Sequence, residues 1–207
     1  MERERKCEYY RQLRPDKHLS QFYLYEEQEV KSLMADDEGF RSALRQNTLW
    51  NTPLAFSRSY SLGEDVDFRQ GGNSEAFTLN GWSRPEQWGT WTEGYVAALY
   101  LLFQKPVEGS LELFSRLRAF VSNSHPILRA QVEYGGQVIE EWSFQTGEFV
   151  ERSIIIPVKH HGNRTTRKLV FRLVNPISPR TLEMSDDSRL LGLGFVTLRL
   201  QQRRMPE

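Results

Sequence analysis

Between residues 111 and 200 several separate runs carry apolar residues at every second position, and this constrains the fold more than any other feature of the chain. Leu111, Leu113, Leu117, Ala119 and Val121 alternate with Glu112, Arg116 and Arg118. Leu169, Phe171 and Leu173 form a second alternating run, and Val196, Leu198 and Leu200 a third, with Thr197 and Arg199 between them. Successive side chains of a strand point to opposite faces, so a period of two describes a strand with one face in a core. Gln131–Tyr134 and Gln137–Glu140 flank Gly135-Gly136, and a two-residue Gly-Gly loop between such runs predicts a hairpin. Phe149–Pro157, with three consecutive isoleucines, reads as a further strand, and Phe56–Leu62 and Ala76–Trp82 as short ones. Eight or more strands with no helical period between them predict an all-β fold. The architecture expected is an antiparallel, jelly-roll-like β-sandwich over residues 51–207.

Residues 1–50 read differently. Val30, Leu33, Phe40 and Leu44 recur at near-helical spacing. Asp36 is placed to cap a second short helix, and Gly39 weakens a single continuous one. Tyr9, Tyr10, Phe22, Tyr23 and Tyr25 add apolar surface. The expectation is a short N-terminal helical extension. It either packs on the sandwich or docks a partner protein.

Charge and cysteine content exclude several functions. Lys+Arg and Asp+Glu number 27 each, so no global positive field favours nucleic acid. Cys7 is the only cysteine, which excludes an intrachain disulfide and a cysteine-based zinc site. The first residues, Met-Glu-Arg-Glu-Arg-Lys, lack the apolar core of a signal peptide. The longest apolar run, Val96–Phe103, is too short to span a bilayer. These features predict a cytoplasmic protein without direct membrane insertion. They set no oligomeric state.

Two segments carry the residue types of a site. The first is Gly81-Trp82-Ser83-Arg84-Pro85-Glu86-Gln87-Trp88-Gly89-Thr90-Trp91-Thr92-Glu93-Gly94, which holds three of the five tryptophans. Each indole brings a large apolar face and one N–H that wants an acceptor. Such a box is either an ordered corner with buried indoles or a platform on which Trp82, Trp88 and Trp91 stack against a sugar ring. In the second case Glu86, Glu93 and Arg84 hydrogen-bond hydroxyls around it. The second segment, Asn175 to Gly194, joins two predicted strands. Pro176 and Pro179 keep it irregular. Arg180, Asp186, Asp187 and Arg189 either form an internal network or face a ligand, since arginine forks bind carboxylates.

Other chemistry is weakly signalled. Asp186-Asp187 lacks the spaced oxygen pattern of a calcium loop. His160-His161 would point to opposite faces of a strand and reads as a solvated turn. Asn163-Arg-Thr165 matches a glycosylation sequon that means little without a secretory signal. There is no phosphate loop, nucleophile elbow or HExxH helix, so no cofactor and no metal are expected. Glu86 and Glu93 are conceivable as a glycosidase pair, which leaves a carbohydrate-active enzyme as the weakest reading.

The two segments together resemble an accessory β-sandwich of bacterial phosphoglycerol transferases and envelope-polysaccharide glycosyltransferases. The first half of the resemblance is Trp82-Ser-x-Pro-Glu-x-Trp88-Gly-x-Trp91-Thr-Glu-Gly94, followed by the aliphatic Val96–Leu99. The second half is Asn175-Pro-Ile-Ser-Pro179 with Leu182-Glu-Met-Ser-Asp186-Asp-Ser-Arg189-Leu-Leu-Gly192. Glu183 stands where the pattern has Gly. The resemblance covers about residues 55–202 and implies a non-catalytic module in cell-envelope polysaccharide synthesis (O-antigen, capsule or glucan). Its ligand would be a glycan, or its partner a glycan-synthesis enzyme. The candidate ligand residues are Trp82, Glu86, Trp88, Trp91, Glu93, Arg180, Asp186 and Arg189. The alternative is a structural adaptor that docks a glycosyltransferase through residues 1–50.

Overall fold

A computed structural model describes residues 59–157 and 166–203, within the unit spanning 56–207. The expected helical extension, the boundary at residue 50 and the His160-His161 turn lie outside the described residues. The described residues form nine strands: β1 (Asp65–Asp67), β2 (Thr90–Glu93), β3 (Val96–Leu102), β4 (Leu111–Ala119), β5 (Leu128–Tyr134), β6 (Gln137–Phe144), β7 (Val150–Ile156), β8 (Thr166–Leu173) and β9 (Leu191–Gln202). They make two antiparallel sheets. One has the order β1-β9-β4-β7, with β2 also on β9, and the other the order β3-β8-β5-β6. Setting β2 aside and renumbering the rest, strands 1-8-3-6 face 2-7-4-5, the interleaved order of a jelly roll.

The alternating runs explain the sheets. In β4 the odd positions Leu111, Leu113, Ser115, Leu117 and Ala119 are buried, and the even ones are not. β5 repeats the pattern with Leu128, Ala130, Val132 and Tyr134 buried. The two inner faces meet through aromatic rings. Phe171 of β8 lies 4.7 Å from Phe195 of β9, centroid to centroid. Phe68 packs on Phe195 at 5.4 Å, and Trp142 of β6 stacks on Phe171 at 5.9 Å. The β5–β6 hairpin closes at Tyr134 and Gln137. Gly135 and Gly136 have φ of 60° and 86°, the two positive values that a type I′ turn requires.

Two expected short strands do not form among the described residues. Ala76–Trp82 is a single 3₁₀ turn (Ser74–Ala76) followed by isolated bridges, Thr78 to Leu99 and Trp82 to Thr92. Leu79 N–H still donates to Ala98 O, and Ala98 N–H to Asn80 O. The chain then leaves β3 for β2 at Gly81, whose φ is 77° and whose added Cβ would lie 1.8 Å from Val96 O. A change of partner strand, not a lack of apolar residues, ends the ladder there. Residues 59–62 of Phe56–Leu62 are irregular as well; the rest of that stretch lies outside the described residues. Tyr60 anchors this entry. Its hydroxyl donates to Glu64 O (2.7 Å) and accepts from Leu200 N–H (2.7 Å).

Two outcomes follow from the core. Phe171→Ala removes the ring that joins the two sheets and costs about 3–5 kcal/mol in urea unfolding, whereas Tyr95→Ala, at an exposed position, stays within about 0.5 kcal/mol. Burial pushes the Tyr60 and Tyr134 phenols above the ordinary tyrosine range. Unfolded tyrosines ionise near pH ~10 while these stay protonated, so the folded state binds more protons above that pH. Stability is therefore full below pH ~10 and falls as pH rises further. In alkaline denaturation curves, Tyr60→Phe makes that fall shallower.

Candidate functional site

The tryptophan-rich segment is a hairpin. Glu93 N–H donates to Gly81 O (2.8 Å), Ser83 N–H to Trp91 O (2.9 Å), and Glu86 N–H to Gly89 O (2.8 Å) across the tip. Its second limb is β2, which pairs with β9: Thr90 opposite Phe195, Trp91 opposite Gly194 and Glu93 opposite Leu191. Two buried threonines seat it. Thr90 Oγ1 donates to Phe68 O (2.5 Å), and Thr92 Oγ1 accepts from Leu193 N–H (2.9 Å).

Strand parity then divides the three indoles. Trp82 is turned into the core, against Phe68 at 4.9 Å and Phe195 at 5.5 Å, and its indole N–H donates to Ala98 O (2.9 Å). It is a structural residue and no platform. Trp91 lies between the buried Thr90 and Thr92 and therefore faces outward. Trp88 meets it edge-on, 5.1 Å between centroids. Phe149 lies 5.7 Å from Trp88, and Phe120 lies 5.8 Å from Trp91. The result is a half-exposed aromatic patch on the outer face of the five-stranded sheet, with Phe149 39% exposed.

Gly194 is the floor of this patch. Its Cα partners are Trp91 in β2 and Arg118 in β4. A Cβ on Gly194 would stand 2.5 Å from Trp88 Cη2 and 2.9 Å from Trp91 Cζ3. The missing side chain lets both indoles lie across β9. Arg118 fills the other side of the gap. Its guanidinium carbon is 5.7 Å from the Trp88 and Trp91 centroids and 5.1 Å from Phe149, and Arg116 lies 5.7 Å from Phe149. These distances are within cation–π range.

The carboxylates serve the hairpin itself. Glu86 accepts the Trp88 indole N–H (2.7 Å), and Glu93 accepts from the Ser83 hydroxyl (3.0 Å). The second segment comes alongside, since Gly94 N–H donates to Leu190 O (2.8 Å). Arg189 pairs with Asp187, not with Asp186. Its Nε lies 3.0 Å from Oδ1 and its Nη2 2.6 Å from Oδ2. This fork holds the Asp187 carboxyl below the usual carboxylate range. Arg189 is shifted up, mainly by Asp187 and further by the fields of Glu86 and Glu93. Asp186 is exposed, and its backbone oxygen accepts from Arg180 Nη2 (2.6 Å). Glu183 takes φ of 56°, so the turn keeps a left-handed geometry with a residue that pays about 1–2 kcal/mol for it.

Thus Glu86, Trp88 and Trp91 share one face, Trp82 packs half-buried against the core, and Arg180, Asp186 and Arg189 order a loop. Arg118, Phe120 and Phe149 were missed. Arg118 and Phe120 fall on the polar phase of the β4 run, and an aromatic residue on that phase is a readable sign of an outward patch. A separate cleft of about 350 Å³ is lined by Arg69, Gln70, Gly71, Gly72, Ser74, Glu75, Arg84 and Pro85. Among the described residues no group of three or more His, Cys, Asp or Glu side chains is placed to hold a metal. No helix among them is long and apolar enough to cross a membrane.

Residues 59–202 match the model of a family described as a domain of unknown function, DUF7024. The chain belongs to that family. The match begins ahead of β1 and ends with β9, so it takes in the hairpin, the loop and the whole patch of this DUF7024 domain. No curated protein matches the chain. Among solved structures it is similar to the CBM36-1 domain of a multidomain xylanase from the hindgut metagenome of Trinervitermes trinervoides. That similarity has 14% identity, covers 69% of this chain and 98% of the other, and has a TM-score of 0.40. It is also similar to a family 35 carbohydrate-binding module from Clostridium thermocellum, with 10% identity, 56% and 79% coverage and a TM-score of 0.36. These scores are too low for fold or function to be carried over.

Gly194→Ala tests the floor of the patch. The added methyl displaces Trp88 and Trp91, so tryptophan fluorescence and near-ultraviolet circular dichroism change while the far-ultraviolet strand signal persists. An unchanged tryptophan spectrum would contradict the close packing over β9.

Proposed function

We propose that this DUF7024 domain is a non-catalytic glycan-binding module and that the outer-sheet patch is its site. The observation that carries the reading is Trp88, Trp91 and Phe149 held side by side on the outer face of the sheet, the two indoles half-buried over Gly194 and Phe149 exposed. Aromatic faces suit the apolar face of a pyranose, and arginine and carboxylate groups beside them suit its hydroxyls. A patch of this kind is costly to leave in water without use. Glu86 and Glu93 each serve a hydrogen bond within the hairpin, which supports binding over hydrolysis.

The setting we propose is bacterial envelope-polysaccharide synthesis. What supports it is the resemblance of the two motifs to accessory domains of phosphoglycerol transferases and glycosyltransferases. The hairpin and the loop that carry those motifs lie side by side through the β2–β9 ladder.

On a glycan array with the full chain, Trp88→Ala and Trp91→Ala lower retention of bound oligosaccharides about tenfold or more, the loss of one stacking face each. Their melting temperatures move little, because both indoles are only half-buried. Unchanged retention in both variants would overturn the reading.

A further inference from the structure

We infer that the sugar stacked on this patch carries a carboxylate on its ring, as a hexuronic acid does, and that Arg118 is its anchor. The inference rests on the glycan-binding reading and names the ligand class of that site. Three observations support it.

The first is where Arg118 sits. It projects from β4 into the centre of the patch, 5.1–5.7 Å from three ring centroids. Its Nε is buried and has no acceptor. A guanidinium that packs its face on aromatic rings keeps its in-plane N–H donors free, and those donors match a planar carboxylate.

The second is the missing counter-charge. Neither Arg116 nor Arg118 makes an ion pair among the described residues. On the same sheet Arg199 pairs with Asp65 (3.3 Å), and Arg69, just past β1, pairs with Asp67 (2.8 Å). The acidic groups nearest in the fold do not supply it. Glu86 accepts from Trp88, Glu151 is the register partner of Arg116 without a salt bridge to it, and Glu148 is exposed beside Phe149. No carboxylate among the described residues is paired with either arginine, so the patch holds two cations that a ligand anion would complete.

The third is geometry. Arg118 is flanked by the stacking rings rather than set apart from them, so an anion that reaches it must sit on the stacked sugar itself. A carboxylate on a ring carbon lies at the edge of a pyranose, in contrast to a phosphodiester on a flexible substituent.

The test is an array that carries matched pairs, glucuronic acid against glucose and galacturonic acid against galactose in the same linkages, together with sugar phosphates. The full chain should retain the uronic acid members about tenfold more strongly than their neutral partners and more strongly than the phosphates, with the preference shrinking as sodium chloride rises. Arg118→Gln should bring the uronic acid members down to the retention of their neutral partners, and Arg118→Lys should keep part of the preference. Retention of neutral members that depends on Trp91 but shows no uronate preference would overturn this inference and leave the glycan reading standing. A stronger preference for sugar phosphates would also overturn it. If no sugar is retained, both fall. Because the matched pairs are compared on the unmodified chain, the result does not depend on the variants folding.

Discussion

The shared strand β9 organises the molecule. Its twelve residues pair with β4 along one edge and, end to end, with β1 and β2 along the other. A strand so placed must satisfy both ladders and fill the core at once. Phe195 does the second, touching Phe68, Trp82 and Phe171. Glycine at 194 does what no side chain could, because it gives up its outward space to two indoles from β2 and the hairpin tip. The core and the patch are thus opposite sides of adjacent residues in one strand.

The hairpin from Gly81 to Gly94 depends on that strand. It contributes one tryptophan to the interior and two to the surface, with threonines at 90 and 92 fixing which is which. The loop before β9 is ordered by its own fork between Arg189 and Asp187 and by Arg180 on Asp186 O. Surface pairs of this kind contribute about 0–1 kcal/mol each. Their role is to order a long proline-containing loop internally, and Gly94 N–H on Leu190 O ties its end to the hairpin.

Much of the fold was legible. The runs in β4 and β5 alternate cleanly because each has one face in the core, β9 alternates only over its second half, and Gly135-Gly136 leaves the backbone one easy way to turn. Less was legible where the chain changes partners. Residues 76–82 have strand-like composition, yet they serve β3 first and β2 afterwards, and only Gly81 marks the switch. β1, with the sequence Asp-Val-Asp, is too short and too acidic to announce itself. The site was half legible. The tryptophan box was visible, but the partners Arg118 and Phe149 come from β4 and from the residue just before β7, 27 and 58 residues beyond Trp91 in sequence.

By itself the sequence determined the all-β class, the positions of the long strands and the concentration of aromatic residues in one segment. These depend on local periodicity and local composition. Only the tertiary structure decided that Trp82 belongs to the core while Trp88 and Trp91 belong to the surface, and that Arg118 lies beside them. The reason is register: the face a residue takes, and the neighbour it meets, are set by which strand lies alongside and at what offset. A one-residue slip of β2 on β9 would exchange the buried threonines for tryptophan.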